Sequence, residues 1–278
     1  MRLIKFCKSE HNIKTGCPTI QLGTFQYYRE MDRCFCIADE SEGHIKYRAE
    51  STADNPLDLT PEQWNAISGG VVQVTNGEQA SPNRWLGPVH FSMNGAKMEF
   101  LSNGLIRYQG ILNIIHTYPN AYIYCLTALD DGEEVPHPST VDKSYDSYYE
   151  LQVESVEEFL VLLGNLLHQS LMYQDIQFEA LHDPAPLMVP SQATQVSWAH
   201  GHVQYVDTRE DFLRKPADFE ERSLANRYQR VIFEKEKKYE TNKEYRFVFF
   251  VRHPQLGVMS VKKSPKILTI NKMAGLLV

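Results

Sequence analysis

The 278-residue sequence predicts an α+β fold dominated by antiparallel strands, and three observations carry that expectation. Most of residues 43 to 130 alternates apolar and polar side chains at the strand period, with Asn-Gly pairs at 76–77, 94–95 and 103–104 as turns. A strongly apolar helical pattern occupies 155–169. A second helical pattern, rich in charge, begins after Pro216.

Taken in order, LIKFC (3–7) reads as a strand, followed by one or two helical turns from the N-cap candidate Ser9 to Gly16. TIQLGTFQYY (19–28) reads as the next strand. HIKYRAE (44–50), VVQVTNG (71–77) and PVHFSMNGAKMEFLSNG (88–104) extend the β pattern, with Asn94-Gly95 expected as a type I′ hairpin turn. NAYIYCLTAL (120–129) is nearly all apolar and bounded by Asp130-Asp131-Gly132, which suits a central strand buried on both faces. YYELQVE (148–154) continues the sheet, and Ser155 with Glu158 forms a capping-box pattern opening a helix through FLVLLGNLLHQ. Three prolines make 182–192 a loop, and WAHGHVQYVD (198–207) a strand. The stretch 218–240 carries six acidic and six basic residues and reads as one long helix with a solvated face. KEYRFVFFVRH (243–253) is a strand. No linker is evident, so the expectation is a single domain over 1–278 with a β-rich insertion at about 43–118.

Composition narrows the function classes. An apolar content of 42% is ample for a packed core, and the net charge of −7 argues against a surface coated for nucleic acid. The charge is segregated, however: residues 1–33 hold six basic against three acidic groups, and 252–278 five basic and no acidic ones. If the two ends meet in the fold they make a local basic patch. The N-terminal MRLIKFCKSEH lacks the apolar core of a signal peptide, and FLVLLGNLL is far short of the ~20 residues that span a bilayer, so a cytoplasmic chain without a membrane partner is expected. Five scattered cysteines read as buried thiols. Neither Cys34-x-Cys36 nor His200-x-His202 has the paired spacing of a zinc site, so no metal is expected. Phosphate-binding loops, nucleophile elbows, dinucleotide fingerprints and His-Glu-x-x-His are absent.

Two stretches stand out for chemistry. LGTFQYYREMD (22–32) gathers a glycine, a hydroxyl, two tyrosines and a guanidinium on what reads as one strand. In the strand at 243–253, Glu244, Arg246, Val248 and Phe250 share one face, and Tyr245, Phe247, Phe249 and Val251 the other. Glu244 and Arg246 then form either a polar notch beside a hydrophobic floor or a cross-strand pair on a wet surface, worth under about 1 kcal/mol.

Together, LGTFQYYRE, IADESEG, YIYCLTAL, KSYDSYYEL and KKYETNKEYRFVF resemble the ADP-ribosyltransferase-like domains of bacterial toxins and phage-defence systems, over most of the chain. The resemblance implies a core of two packed, mostly antiparallel sheets with flanking helices, NAD as substrate, and no metal. In that superfamily an early strand supplies His-Gly-Thr or an arginine and a later strand a [Glu/Gln]-x-Glu. Leu22-Gly23-Thr24 and Asn242-Lys243-Glu244 stand at the corresponding places, which leaves Tyr27, Tyr28 or Arg29 to do the work of the missing histidine.

The chemistry names the residues. Cleaving the bond between nicotinamide and ribose builds positive charge on the sugar, which Glu244 is placed to stabilise. Either Tyr27 or Tyr28 offers a ring to the nicotinamide, since neighbours on a strand face opposite ways, and Arg29 a fork to the diphosphate; Tyr28 and Arg29 are expected with Glu244 in catalysis, and Tyr27 and Arg246 in cofactor binding. Gly23 would admit the cofactor to the backbone, and Thr24 would hydrogen-bond it. The ordinary alternative makes the tyrosines core and rim of an edge strand, with Arg29 paired to Glu30 or Asp32. The implied function is an ADP-ribosyltransferase toxin or defence effector with an RNA or DNA acceptor, as in DarT-type toxins, and with a neutralising antitoxin protein. The alternatives are an NAD glycohydrolase and an inactive binding module.

Overall fold

The structure, a computed structural model, describes residues 1–30, 39–68, 88–177, 194–254 and 257–270. In chain order it begins with β1 (Arg2–Cys7), β2 (Thr19–Thr24), α1 (Phe25–Arg29), β3 (His44–Ser51), β4 (Leu57–Leu59) and α2 (Pro61–Ser68). There follow β5 (Val89–Phe100), β6 (Ile106–Thr117), β7 (Tyr122–Leu129), β8 (Ser147–Leu151), α3 (Val156–Ser170), β9 (Gln195–His202) and β10 (Gln204–Val206). The last elements are β11 (Glu210–Leu213), α4 (Pro216–Glu221), α5 (Leu224–Tyr228), β12 (Glu234–Glu236), β13 (Glu244–His253), β14 (Gly257–Met259) and β15 (Lys266–Thr269). The fold is mixed α+β with two large sheets, and the chain divides into two compact units: Met1–Glu42 with Pro119–Val206 and Lys235–Val278, and Gly43–Tyr118 with Asp207–Glu234.

In the first unit the apolar run at 120–129 supplies β7, the hub of an eight-stranded sheet. One edge of β7 pairs antiparallel with β13, Tyr122 opposite Phe249 through Thr127 opposite Glu244. Its other edge is shared: β1 takes Thr127–Leu129, and β2 takes Tyr122 and Ile123. Among the described residues no strand pairs with Tyr124–Leu126 on that edge. β1 runs on against β8 and β2 against β15, so the sheet divides into two leaves at the middle of β7. The pairing of β15 with β2 also brings the two ends of the chain together, though Lys263 there is paired with Glu30 and Lys266 with Asp175.

The long apolar helix expected at 155–169 is α3. It lays Phe159, Leu160, Leu163 and Leu167, all fully buried, on a core containing Tyr124, Tyr149, Tyr245, Phe247, Phe249 and Val251. The face of β13 predicted to be apolar is therefore the face that packs. The capping box is not formed. Ser155 ends a 3-10 turn at Val153–Ser155 with φ −98° and ψ 7°, outside the extended geometry in which an N-cap hydroxyl reaches the helix amides. Residues 9–16 form two 3-10 turns, and Gly16 at φ 108° closes them.

In the second unit β6 is central, with β5 along one edge and β3 then β4 along the other; β11 adds parallel to β3. Trp64 of α2 packs edge-on to Phe91 and tilted against Tyr108 over this sheet. Asn94-Gly95 does not turn the chain. β5 runs through it with a register shift between Asn94 and Lys97, and the hairpin turn falls at Asn103-Gly104, where Gly104 has φ 82° and Leu101 N–H donates to the Leu105 carbonyl. At the shift a Cβ on Gly110 would lie 2.7 Å from the Ala96 Cα, so the close approach of the two backbones requires glycine there. The strand expected at 71–77, the turn at 76–77 and the loop at 182–192 lie outside the described residues, as do Cys34 and Cys36.

The single helix expected over 218–240 is instead α4, α5, β12 and two 3-10 turns. The Asn226 side chain donates to the carbonyls of Glu220 and Glu221, satisfying the end of α4 that a longer helix would have continued. Residues that read as a solvated face are also buried in ion pairs: Arg227 grips Glu234 with two bonds of 2.8 Å, and Lys235 is 3% exposed.

Two measurements test this packing. A Cβ on Gly164 would sit 2.8 Å from the Trp198 ring, so Gly164→Ala lowers the unfolding free energy in urea by about 1–3 kcal/mol despite the better helix propensity of alanine. An unchanged or raised stability contradicts it. His116 is fully buried with its Nε2 2.6 Å from the Ile67 carbonyl, and burial lowers its pKa to about 4. The unfolded chain, protonating near 6.5, binds the extra proton, so stability present above pH 6.5 falls as pH drops toward 4 by a total of about 3 kcal/mol. His116→Asn flattens that pH dependence.

Candidate functional site

Where β1 and β2 part along β7, the first unit contains a cleft of about 710 Å³. Ile4–Lys8 of β1 and its following residue, Thr19–Gln21 of β2 and Ile123–Thr127 of β7 form its walls. Lys5 reaches across the gap, its ammonium 2.8 Å from the Cys125 carbonyl and 4.6 Å from the centre of the Tyr124 ring. Among the described residues no carboxylate pairs with it, and burial lowers its pKa.

One end of the cleft is built from four charged residues, each at most 6% exposed: Glu42, Lys235, Glu244 and Arg246. Arg246 Nη1 and Nη2 donate to the two oxygens of Glu42 at 2.7 and 2.8 Å, while its Nε donates to Glu244 Oε1 at 2.6 Å. Lys235 Nζ stands 2.7 Å from Glu244 Oε2 and 4.0 Å from Glu42 Oε2. Burial pushes the Glu244 carboxyl up, but Arg246 and Lys235 more than offset it and hold its pKa well below the usual range. Glu244 therefore stays ionised at any ordinary pH. Arg246 is pushed up, because Glu244 and Glu42 outweigh its own desolvation. Of the two sequence readings of Glu244 and Arg246, the polar notch is the one observed, and both residues in it are buried.

The chain turns sharply to present this end. Lys243, immediately before Glu244, is the one non-glycine residue at positive φ among the described residues, at 43°. Glu244 N–H donates to the Tyr205 hydroxyl at 2.8 Å.

The tyrosine-bearing segment is not a strand. β2 ends at Thr24, whose hydroxyl accepts from Tyr27 N–H at 3.0 Å, and the Asn120 side chain accepts from Gln26 N–H at 2.9 Å. Two of the first amides of α1 are thus capped by side chains. Because 25–29 is helical, Tyr27 and Tyr28 do not face opposite ways, and both line the cleft. Gly23 and Thr24 do not line it. A Cβ on Gly23 would lie 2.6 Å from the Tyr28 ring, so the bare backbone there admits that ring and not a ligand. The Thr24 hydroxyl, besides its cap, donates to the Lys263 carbonyl at 2.9 Å. Arg29 also stays out of the cleft wall and donates to the Glu42 carbonyl at 2.5 Å, where it positions the acid that grips Arg246. Arg246 itself is engaged by both carboxylates.

Glu42, Lys235 and Lys5 were not singled out from the sequence. Glu42 lies in the IADESEG stretch, before Gly43 at φ 68°, a left-handed position that marks a turn. Lys235 was hidden in an evenly charged segment, and Lys5 looked like any lysine on a strand. The arrangement offers two fixed carboxylates, a lysine ammonium at Lys5 and a wall of tyrosines in a cavity of small-molecule size. His200, the other histidine of interest, bridges Tyr245 at 2.7 Å and Glu157 at 3.0 Å away from these residues. Comparison of the chain with models of protein families, with curated proteins and with solved structures gave no match.

Removing the guanidinium leaves two buried acids to the single ammonium of Lys235, 2.7 Å from Glu244 and 4.0 Å from Glu42. Arg246→Met is expected to lower the unfolding free energy by about 3–5 kcal/mol. Arg48→Met, which removes an exposed pair with Glu50, is expected to leave it nearly unchanged. Equal effects in the two variants contradict the assignment of the Arg246 cluster as buried and cooperative.

Proposed function

We propose that the cleft binds NAD and that the protein transfers ADP-ribose from it to a nucleic acid, as a toxin or phage-defence effector. The observation that carries this reading is the convergence of Glu244 with Tyr27 and Tyr28, from opposite ends of the sequence, in one cavity of about 710 Å³. The divided antiparallel sheet with its flanking helix is consistent with an ADP-ribosyltransferase-like core.

In this reading Glu244 acts only as a fixed negative charge. It holds no transferable proton, which suits stabilisation of an oxocarbenium-like sugar and rules the residue out as a general acid. The glycosidic bond breaks with its electron pair leaving on nicotinamide, and an acceptor nucleophile closes on the anomeric carbon and loses its proton. Tyr27 offers a ring face, while Tyr28, wedged on Gly23, forms the floor. Lys5, rather than Arg29 or Arg246, receives the diphosphate, because both arginines are already committed. The nucleic-acid acceptor rests on the basic ends of the chain that β2 and β15 bring together, where Lys14 and Lys262 are exposed.

Adenine-labelled NAD incubated with the protein and with total RNA, DNA and protein tests the reading. Label is expected in a nucleic-acid fraction and falls by about 100-fold or more in Glu244→Gln. Transfer that survives the substitution unchanged contradicts the role of Glu244. Nicotinamide release without labelled polymer makes water the acceptor, and the absence of both products contradicts catalysis.

A further inference from the structure

We propose that Lys235 is the movable member of the charged cluster: an anionic group of the substrate draws its ammonium off Glu244 and so turns a carboxylate oxygen toward the sugar. The inference rests on the NAD reading above and adds to it a second task for the diphosphate, which becomes a trigger as well as a handle.

In the cleft both oxygens of Glu244 are engaged, Oε1 by Arg246 and Oε2 by Lys235. A carboxylate so neutralised does little for a developing cation. Of its two partners, Arg246 cannot leave. Its remaining nitrogens are locked on Glu42, whose carbonyl is held by Arg29 and whose N–H donates to the Asp39 carbonyl at 2.9 Å. Lys235 is held differently. Its ammonium has one close carboxylate oxygen, with the Glu42 oxygen at 4.0 Å and the Tyr239 ring centre at 5.3 Å, on a flexible four-carbon stem that lines the cleft.

The charge balance supplies the force. Lys5, Lys8, Lys143, Lys235 and Arg246 line the cleft against Glu42, Asp142 and Glu244, a net excess of positive charge, and the charges of Glu244, Arg246, Lys5 and Lys235 all bear on the Cys125 thiol. A diphosphate brings more negative charge than Lys5 alone neutralises, so it competes with Glu244 for Lys235. Binding energy from a remote, unreacting part of the substrate is then used at the reacting centre, and a substrate without phosphates loses turnover rate rather than affinity alone.

The test is nicotinamide release from nicotinamide riboside, with and without inorganic pyrophosphate, whose binding is measured in parallel by calorimetry. Pyrophosphate is expected to accelerate the wild-type protein by about tenfold or more at saturating riboside. Lys235→Gln is expected to cleave the riboside at the accelerated rate without pyrophosphate, and Lys235→Arg to remain pyrophosphate-dependent. If calorimetry shows pyrophosphate bound and the wild-type rate does not change while NAD is still cleaved, the Lys235 proposal falls and the NAD reading stands. If NAD itself releases no nicotinamide, both fall. The wild-type measurement decides alone should either variant fail to fold.

Discussion

A single guanidinium holds the charged end of the cleft in the first unit together. Arg246 sends its three nitrogens to two carboxylates, Glu42 and Glu244, and none of the three residues is more than 6% exposed. Any one of these charges buried alone costs several kcal/mol, so the set is stable only when complete. Its members come from a turn at residue 42, from Lys235 on β12 and from Glu244 and Arg246 on β13, so the cluster is complete only in the folded unit. The fold and the candidate site are to that extent one structure, and a substitution that breaks the site is expected to show in stability as well as in activity.

The cluster has somewhere to act because the sheet is divided. β7 is long enough to pair with β13 along one edge, yet its other edge is split between β1 and β2, which leave its middle residues to the cleft. Lys5 caps the exposed Cys125 carbonyl there, a backbone acceptor that a third strand would otherwise have taken. The same division places α1 at the cleft. The Asn120 side chain, which accepts from Gln26 N–H, also donates to the carbonyls of Val261 and Lys262, so the helix bearing both tyrosines is tied to the C-terminal part of the chain.

What the sequence revealed follows from periodicity. The two-face pattern of β13 and the unbroken apolar run of β7 were legible because burial dictates every second residue, or every residue, in such strands. Their convergence with the tyrosine segment was inferred from the resemblance rather than from the pattern. The failures have local causes. Phe25–Arg29 reads as a continuation of β2, and only the caps supplied by Thr24 and by distant Asn120 make it a helix. Of two Asn-Gly pairs in one run, pairing with β6 selected the second as the turn and absorbed the first as a register shift. The evenly charged segment at 218–240 concealed Glu234 and Lys235, because a charged residue bound for a buried ion pair looks no different in sequence from a solvated one.

The most direct measurement is a crystal structure of the protein with a carbocyclic NAD analogue, in which a methylene replaces the ring oxygen of the nicotinamide-bearing sugar and prevents the cationic intermediate. The account predicts the analogue in the divided sheet, with its diphosphate at Lys5, the anomeric carbon beside Glu244 and an aromatic ring of the ligand against Tyr27. An analogue bound at saturation anywhere else, with the cleft unchanged and Lys235 still on Glu244, contradicts it.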